Sequence, residues 1–94
     1  METMYWSVAV LNRRAGVLWL SLTEPHFLCV RGAPRAALVF ATEEIAEGYL
    51  KRMLARYPNT VAGIVPAPAE AVVRFHAGVR PWEVEEYGSG DAEV

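Results

Sequence analysis

The chain of 94 residues contains one cysteine, one lysine, no glutamine and two asparagines. Because Cys29 is the only cysteine, it cannot form an internal disulfide, which is typical of a reducing compartment. The longest apolar run, residues 17–22, is far too short to span a bilayer, and residues 1–6 lack the basic region that begins a signal peptide. We therefore expect a cytoplasmic protein with no membrane contact.

The chain also has little excess charge of either sign. Nine basic residues stand against eleven acidic ones, for a formal net charge of −2, and the basic residues are scattered. A nucleic-acid-binding protein normally presents a basic face, so we expect no nucleic-acid partner. The shortage of amide side chains and the preference for arginine over lysine resemble the composition of thermophilic proteins.

The sequence also lacks the usual groups of residues that catalyse reactions or bind metals and phosphates. We find no recognisable catalytic residue, no closed set of metal ligands and no phosphate-binding loop, so we expect no catalytic site, metal or cofactor. One alternative is a small enzyme in which His26 activates the thiol of Cys29, three residues away. A cysteine between Leu28 and Val30 in an apolar strand is more typical of a small buried side chain.

The strongest pattern extends over residues 36–57. Residues 36–41, AALVFA, read as an apolar strand, and residues 43–57 follow as an amphipathic helix with Thr42 as its N-cap and Pro58 beyond its end. The apolar stripe of that helix consists of Ile45, Ala46, Tyr49, Leu50, Met53, Leu54 and Tyr57.

Further elements lie on both sides of this unit. Residues 4–11, 17–22 and 27–31 alternate as strands, with a turn at residues 12–16. The pattern predicts later strands at residues 61–65 and 79–87, and it predicts a second helix at residues 69–77. The expected fold is α+β: a mainly antiparallel sheet, with a four-strand N-terminal meander and one or two further strands, and two helices packed on one face. We expect one domain over residues 1–87 and a flexible acidic tail over residues 88–94.

Residues 38–46, LVFATEEIA, also carry a family resemblance. The segment resembles the N-terminal domains of SseB-like proteins. In this pattern an apolar strand is followed by a small residue, Thr, acidic residues and an Ala one turn later. The overall pattern is similar to domain-of-unknown-function families from Thermus-type bacteria. The resemblance implies an α+β fold and assigns no catalytic residue.

The apolar fraction of 53% leaves a surplus of apolar side chains on the sheet. If both helices cover one face, the other face displays Tyr5, Leu11, Val17 and Trp19, and we predict that these four residues form the interface of a homodimer. The leading hypothesis is therefore a noncatalytic protein-interaction module that self-associates. The alternative is a regulatory domain that binds a small ligand or an anion through Arg31, Arg35 and Trp82.

Overall fold

The computed structural model describes residues 4–23, 27–31 and 34–78, together with the backbone of Ala92 and Glu93. The elements in chain order are β1 (Trp6–Asn12), β2 (Gly16–Leu20), β3 (Cys29–Arg31), a 3₁₀ turn (Pro34–Ala36), α1 (Glu43–Arg56), β4 (Val61–Pro66), α2 (Ala69–His76) and β5 (Ala92–Glu93). The strand order is β4-β1-β2-β3-β5, and all neighbouring strands are antiparallel. The predicted α+β fold with an antiparallel sheet is confirmed.

The predicted hairpin of β1 and β2 forms, with Leu11 opposite Val17. The side-chain oxygen Oδ1 of Asn12 accepts hydrogen bonds from the backbone N–H groups of Arg14 and Ala15, each at 2.9 Å. Gly16 has a φ of 80°, a conformation that residues with a Cβ rarely adopt. The local sequence therefore supplies the side chain and the glycine that this turn requires.

The main core lies between α1 and one side of the sheet, which we call the first face. Thr42 caps α1 as predicted, because its hydroxyl accepts from the backbone N–H of Ile45 at 3.2 Å. Ile45 itself is 47% exposed, so the buried stripe of α1 is narrower than predicted. The buried members of this core are Val8, Val10, Leu18, Leu20, Phe27, Cys29, Phe40, Ala46 and Met53.

The second helix packs on the opposite side, the second face, which corrects the expectation that both helices share one face. Ala9, Trp19 and Gly63 are cross-strand neighbours and therefore lie on this second face. Ala71 of α2 is buried in a smaller cluster that packs against Trp19. Because apolar side chains alternate onto both faces of the hairpin, each face needs its own apolar cover. The smaller cluster contains Ala37, Val39 and Ala71, with Tyr5, Trp19 and Ala67 packed against it.

The predicted strand over residues 36–41 is the second correction, because the chain here crosses the sheet end instead of lying along a strand. We call residues 36–40 the crossing segment. The backbone N–H of Leu38 donates to the carbonyl of Leu20 at 2.8 Å, and Phe40 exchanges hydrogen bonds only with Trp6. Since these partners are the ends of two different strands, no ladder develops. The meander consequently has three strands, and β4 takes the place beside β1.

Two of the predicted C-terminal segments extend beyond the described residues. The possible strand over residues 79–87 lies outside the described residues, as does most of the tail over residues 88–94. Within that tail, Ala92 and Glu93 pair with Val30 and Cys29 of β3. Neither described helix is both long enough and apolar enough to cross a membrane.

Two glycine substitutions test the local backbone argument. Gly48 lies in the interior of α1 at an exposed position, and a Cβ placed there would meet nothing within 4 Å. We expect Gly48→Ala to raise the free energy of unfolding by about 1 kcal/mol, because alanine is the better helix former. Gly16→Ala is the control: it should lower the same quantity by about 1–2 kcal/mol because of its positive φ. Urea denaturation measures both, and a loss of stability in Gly48→Ala would contradict the exposed position.

A second prediction concerns Ser21, whose side chain is fully buried. Its hydroxyl donates to the carbonyl of Ala36 at 2.6 Å, so Ser21→Ala leaves a buried acceptor without its partner. We expect the free energy of unfolding to fall by about 1–3 kcal/mol. Thr23→Ala is the matched control, because its half-buried hydroxyl makes no hydrogen bond to the described residues. Equal losses in the two variants would contradict the role of Ser21 in holding the crossing segment.

Candidate functional site

A row of exposed apolar side chains crosses three strands at the hairpin end of the second face. Leu11 of β1 lies opposite Val17 of β2 on one side and opposite Val61 of β4 on the other. Their exposed fractions are 60%, 48% and 63%, respectively. We call these three residues the apolar row. Opposite residues of antiparallel strands are close neighbours, so the three side chains form one continuous strip.

The other two residues of the predicted interface, Tyr5 and Trp19, lie under or beside α2. The ring centroid of Tyr5 is 5.4 Å from that of Phe75 and 5.3 Å from that of His76. Trp19 is half-buried against the cluster that contains Ala71. The structure thus places Leu11 and Val17 at the open end of the face, and Tyr5 and Trp19 at its covered part.

Val61 is the residue of this surface that the sequence analysis missed. It joins the apolar row only because β4 pairs with β1, which is a long-range pairing without a local sequence signal. Next to the row, Ala9 and Gly63 face each other across the same two strands. A Cβ added at Gly63 would meet nothing within 4 Å, so the surface above these two small residues is open.

A cleft of about 800 Å³ opens at the same end of the sheet. Its floor belongs to the first face, and its rim comes from the β1–β2 turn, the C-terminal end of α1 and the loop into β4. The described lining residues are Val10, Leu11, Asn12, Arg13, Arg14, Leu18, Phe27, Cys29, Met53, Arg56, Tyr57, Pro58, Asn59, Thr60 and Val61. Most of them come from two segments that are distant in the chain, residues 10–14 and 56–61, so no local sequence motif indicates the cleft.

Cys29 lies at the floor of this cleft and is 6% exposed. Its Sγ donates weakly to the carbonyl of Phe27 at 3.7 Å. Burial raises the pKa of the Cys29 thiol to about 11, so at neutral pH it is protonated and a poor nucleophile. His26, its partner in the enzyme alternative, lies outside the described residues.

The residues of the ligand-binding alternative lie away from the cleft. Arg31 is exposed at the end of β3, and Arg35 is exposed in the 3₁₀ turn; neither lines the cleft. Trp82 lies outside the described residues, so a site made of these three residues stays a prediction. Among residues 4–23, 27–31 and 34–78, no three His, Cys, Asp or Glu side chains are grouped to hold a metal ion.

No protein-family model matches the chain, and no curated protein or solved structure matches it significantly. The resemblance of residues 38–46 to SseB-like domains and to the Thermus-type families therefore stays a prediction. The apolar row and the cleft, both at the hairpin end, are the two candidate functional surfaces among the described residues.

The protonation state of Cys29 can be tested directly, because the chain has a single thiol. We expect slow labelling by thiol reagents in the native protein at neutral pH and rapid labelling after denaturation. The folded-state pKa of the Cys29 thiol, about 11, exceeds the ordinary value of 9.0. The protonated thiol therefore stabilises the folded state fully below pH 9, and this stabilisation is lost as the pH rises toward 11. Cys29→Ala should remove this part of the pH dependence of unfolding. Rapid labelling of the native protein near pH 6 would instead demonstrate an activated thiolate.

Proposed function

We propose that this protein is a small noncatalytic interaction module that self-associates as a homodimer in the cytoplasm. The apolar row carries the proposal: Leu11, Val17 and Val61 are about half exposed or more, and they are neighbours in register. Three adjacent exposed aliphatic side chains lose contact with water when a partner covers them, which favours association. The single buried thiol of Cys29 supports the choice of a reducing compartment.

The edge of the sheet supports a second copy of the chain as the partner. β4 is an edge strand of the described sheet, and its sequence VAGIVP contains no charged residue. Natural edge strands are normally protected by charges, bulges or an internal proline, whereas the only proline of β4 is its last residue. Two copies of such an edge can pair antiparallel about a twofold axis, which gives a closed, symmetric dimer.

The apolar row ends on this same edge, at Val61. A twofold axis beside β4 would therefore bring the uncharged edge and the end of the apolar row of both copies into one interface. The row itself contains no charged residue, so pairing two copies of the row buries no charge within it. A partner of different sequence would need its own uncharged strand edge and apolar surface, whereas a second copy of this chain already has both.

The dimer is tested by sedimentation equilibrium at micromolar protein concentration. We expect a mass of twice 10.4 kDa for the unchanged chain and a shift toward monomer for Val61→Glu, because association would bury a charge without a partner. Val73→Glu is the matched control: Val73 is 68% exposed, like Val61 at 63%, but it lies on α2. That variant should remain dimeric.

Two outcomes would contradict the proposal. A single species of 10.4 kDa at all accessible concentrations would show that the chain is a monomer whose apolar row stays exposed to water. Equal dissociation in Val61→Glu and Val73→Glu would place the interface elsewhere. Circular dichroism of both variants confirms that a change in mass reflects association and not unfolding.

A further inference from the structure

The cleft at the hairpin end has a composition that self-association does not explain. Its volume of about 800 Å³ lies within the range of small-molecule sites. The floor consists of buried apolar side chains whose exposed fractions lie between 2% and 7%: Val10, Leu18, Phe27, Cys29 and Met53. Phe27 has a φ of 50°, which is an unfavourable backbone conformation for a residue with a Cβ. Backbone strain of this kind is often found at binding sites.

The rim, in contrast, is positively charged. Arg13 and Arg14 come from the β1–β2 turn and Arg56 from the last turn of α1, and all three side chains are exposed. No described acidic residue lines the cleft, and no described salt bridge engages these three arginines. The C-terminal end of α1 contributes about half a negative charge, which is small against three full positive charges. Among the described residues the charge at the rim is therefore positive, although the whole chain has a net charge of −2.

We propose that the cleft binds an amphipathic organic anion, with its apolar body on the floor and a carboxylate or phosphate head among the guanidinium groups of Arg13, Arg14 and Arg56. Arginine binds both kinds of head through charge-assisted hydrogen bonds. A neutral apolar molecule would leave the charged rim unused, and an inorganic anion would leave the apolar floor uncovered. A cation is opposed by the charge of the rim.

Isothermal titration calorimetry with eight-carbon probes separates these cases. We expect octanoate or octyl phosphate to bind at least about tenfold more tightly than 1-octanol, since the charged head adds hydrogen bonds worth about that factor. The tighter of the two identifies the head group. Inorganic phosphate alone should give no measurable heat. Equal affinity for 1-octanol, equal affinity for inorganic phosphate, or no binding of either anion would each overturn the proposal.

Variants locate the bound anion without altering the apolar row. The double variant Arg14→Gln/Arg56→Gln should weaken binding of the tighter probe by about tenfold or more. Lys51→Gln is the control, because Lys51 is an exposed cation on α1 that does not line the cleft. The affinity of this variant for the same probe should be unchanged. Binding should also slow the labelling of Cys29. Unchanged affinity in the double variant, an equal loss in Lys51→Gln, or unprotected Cys29 would overturn the assignment to this cleft.

Discussion

The crossing segment, residues 36–40, is the part of the chain on which both layers of the protein depend. Four of its five residues are buried, so the backbone polar groups of the segment need partners inside the protein. The hydroxyl of Ser21 donates to the carbonyl of Ala36 at 2.6 Å, and that of Ser7 donates to the carbonyl of Leu38 at 2.9 Å. These two serines are the fully buried polar side chains of the described core, which explains their presence among apolar neighbours.

Alternation along the crossing segment distributes its side chains between the two cores. Leu38 and Phe40 pack with the core under α1, whereas Ala37 and Val39 belong to the cluster under α2. Phe40 is also stacked on Tyr49 of α1, with ring centroids 5.4 Å apart. One short segment thus contributes side chains to both layers, one layer under each helix.

The other end of the sheet has no comparable cover among the described residues. There the second face leaves the apolar row exposed, and the first face opens into the cleft. The buried serines therefore lie at the covered end, while both surfaces proposed for function lie at the hairpin end. This separation means that substitutions at the rim arginines change a surface without disturbing the buried hydrogen bonds of Ser7 and Ser21.

The sequence by itself determined the local structure: the hairpin with Asn12 and Gly16 in its turn, the helix capped by Thr42, and an α+β fold. These features depend on neighbouring residues and on periodicity, which a sequence shows directly. It did not reveal that residues 36–41 cross the sheet, because a buried crossing segment and a buried strand share the same apolar run. Tertiary structure alone decided that α2 covers Tyr5 and Trp19, that Val61 joins Leu11 and Val17, and that Arg56 lines the same cleft as the arginines of the turn. Each of these arrangements depends on pairing between residues distant in the chain, for which local sequence carries no signal.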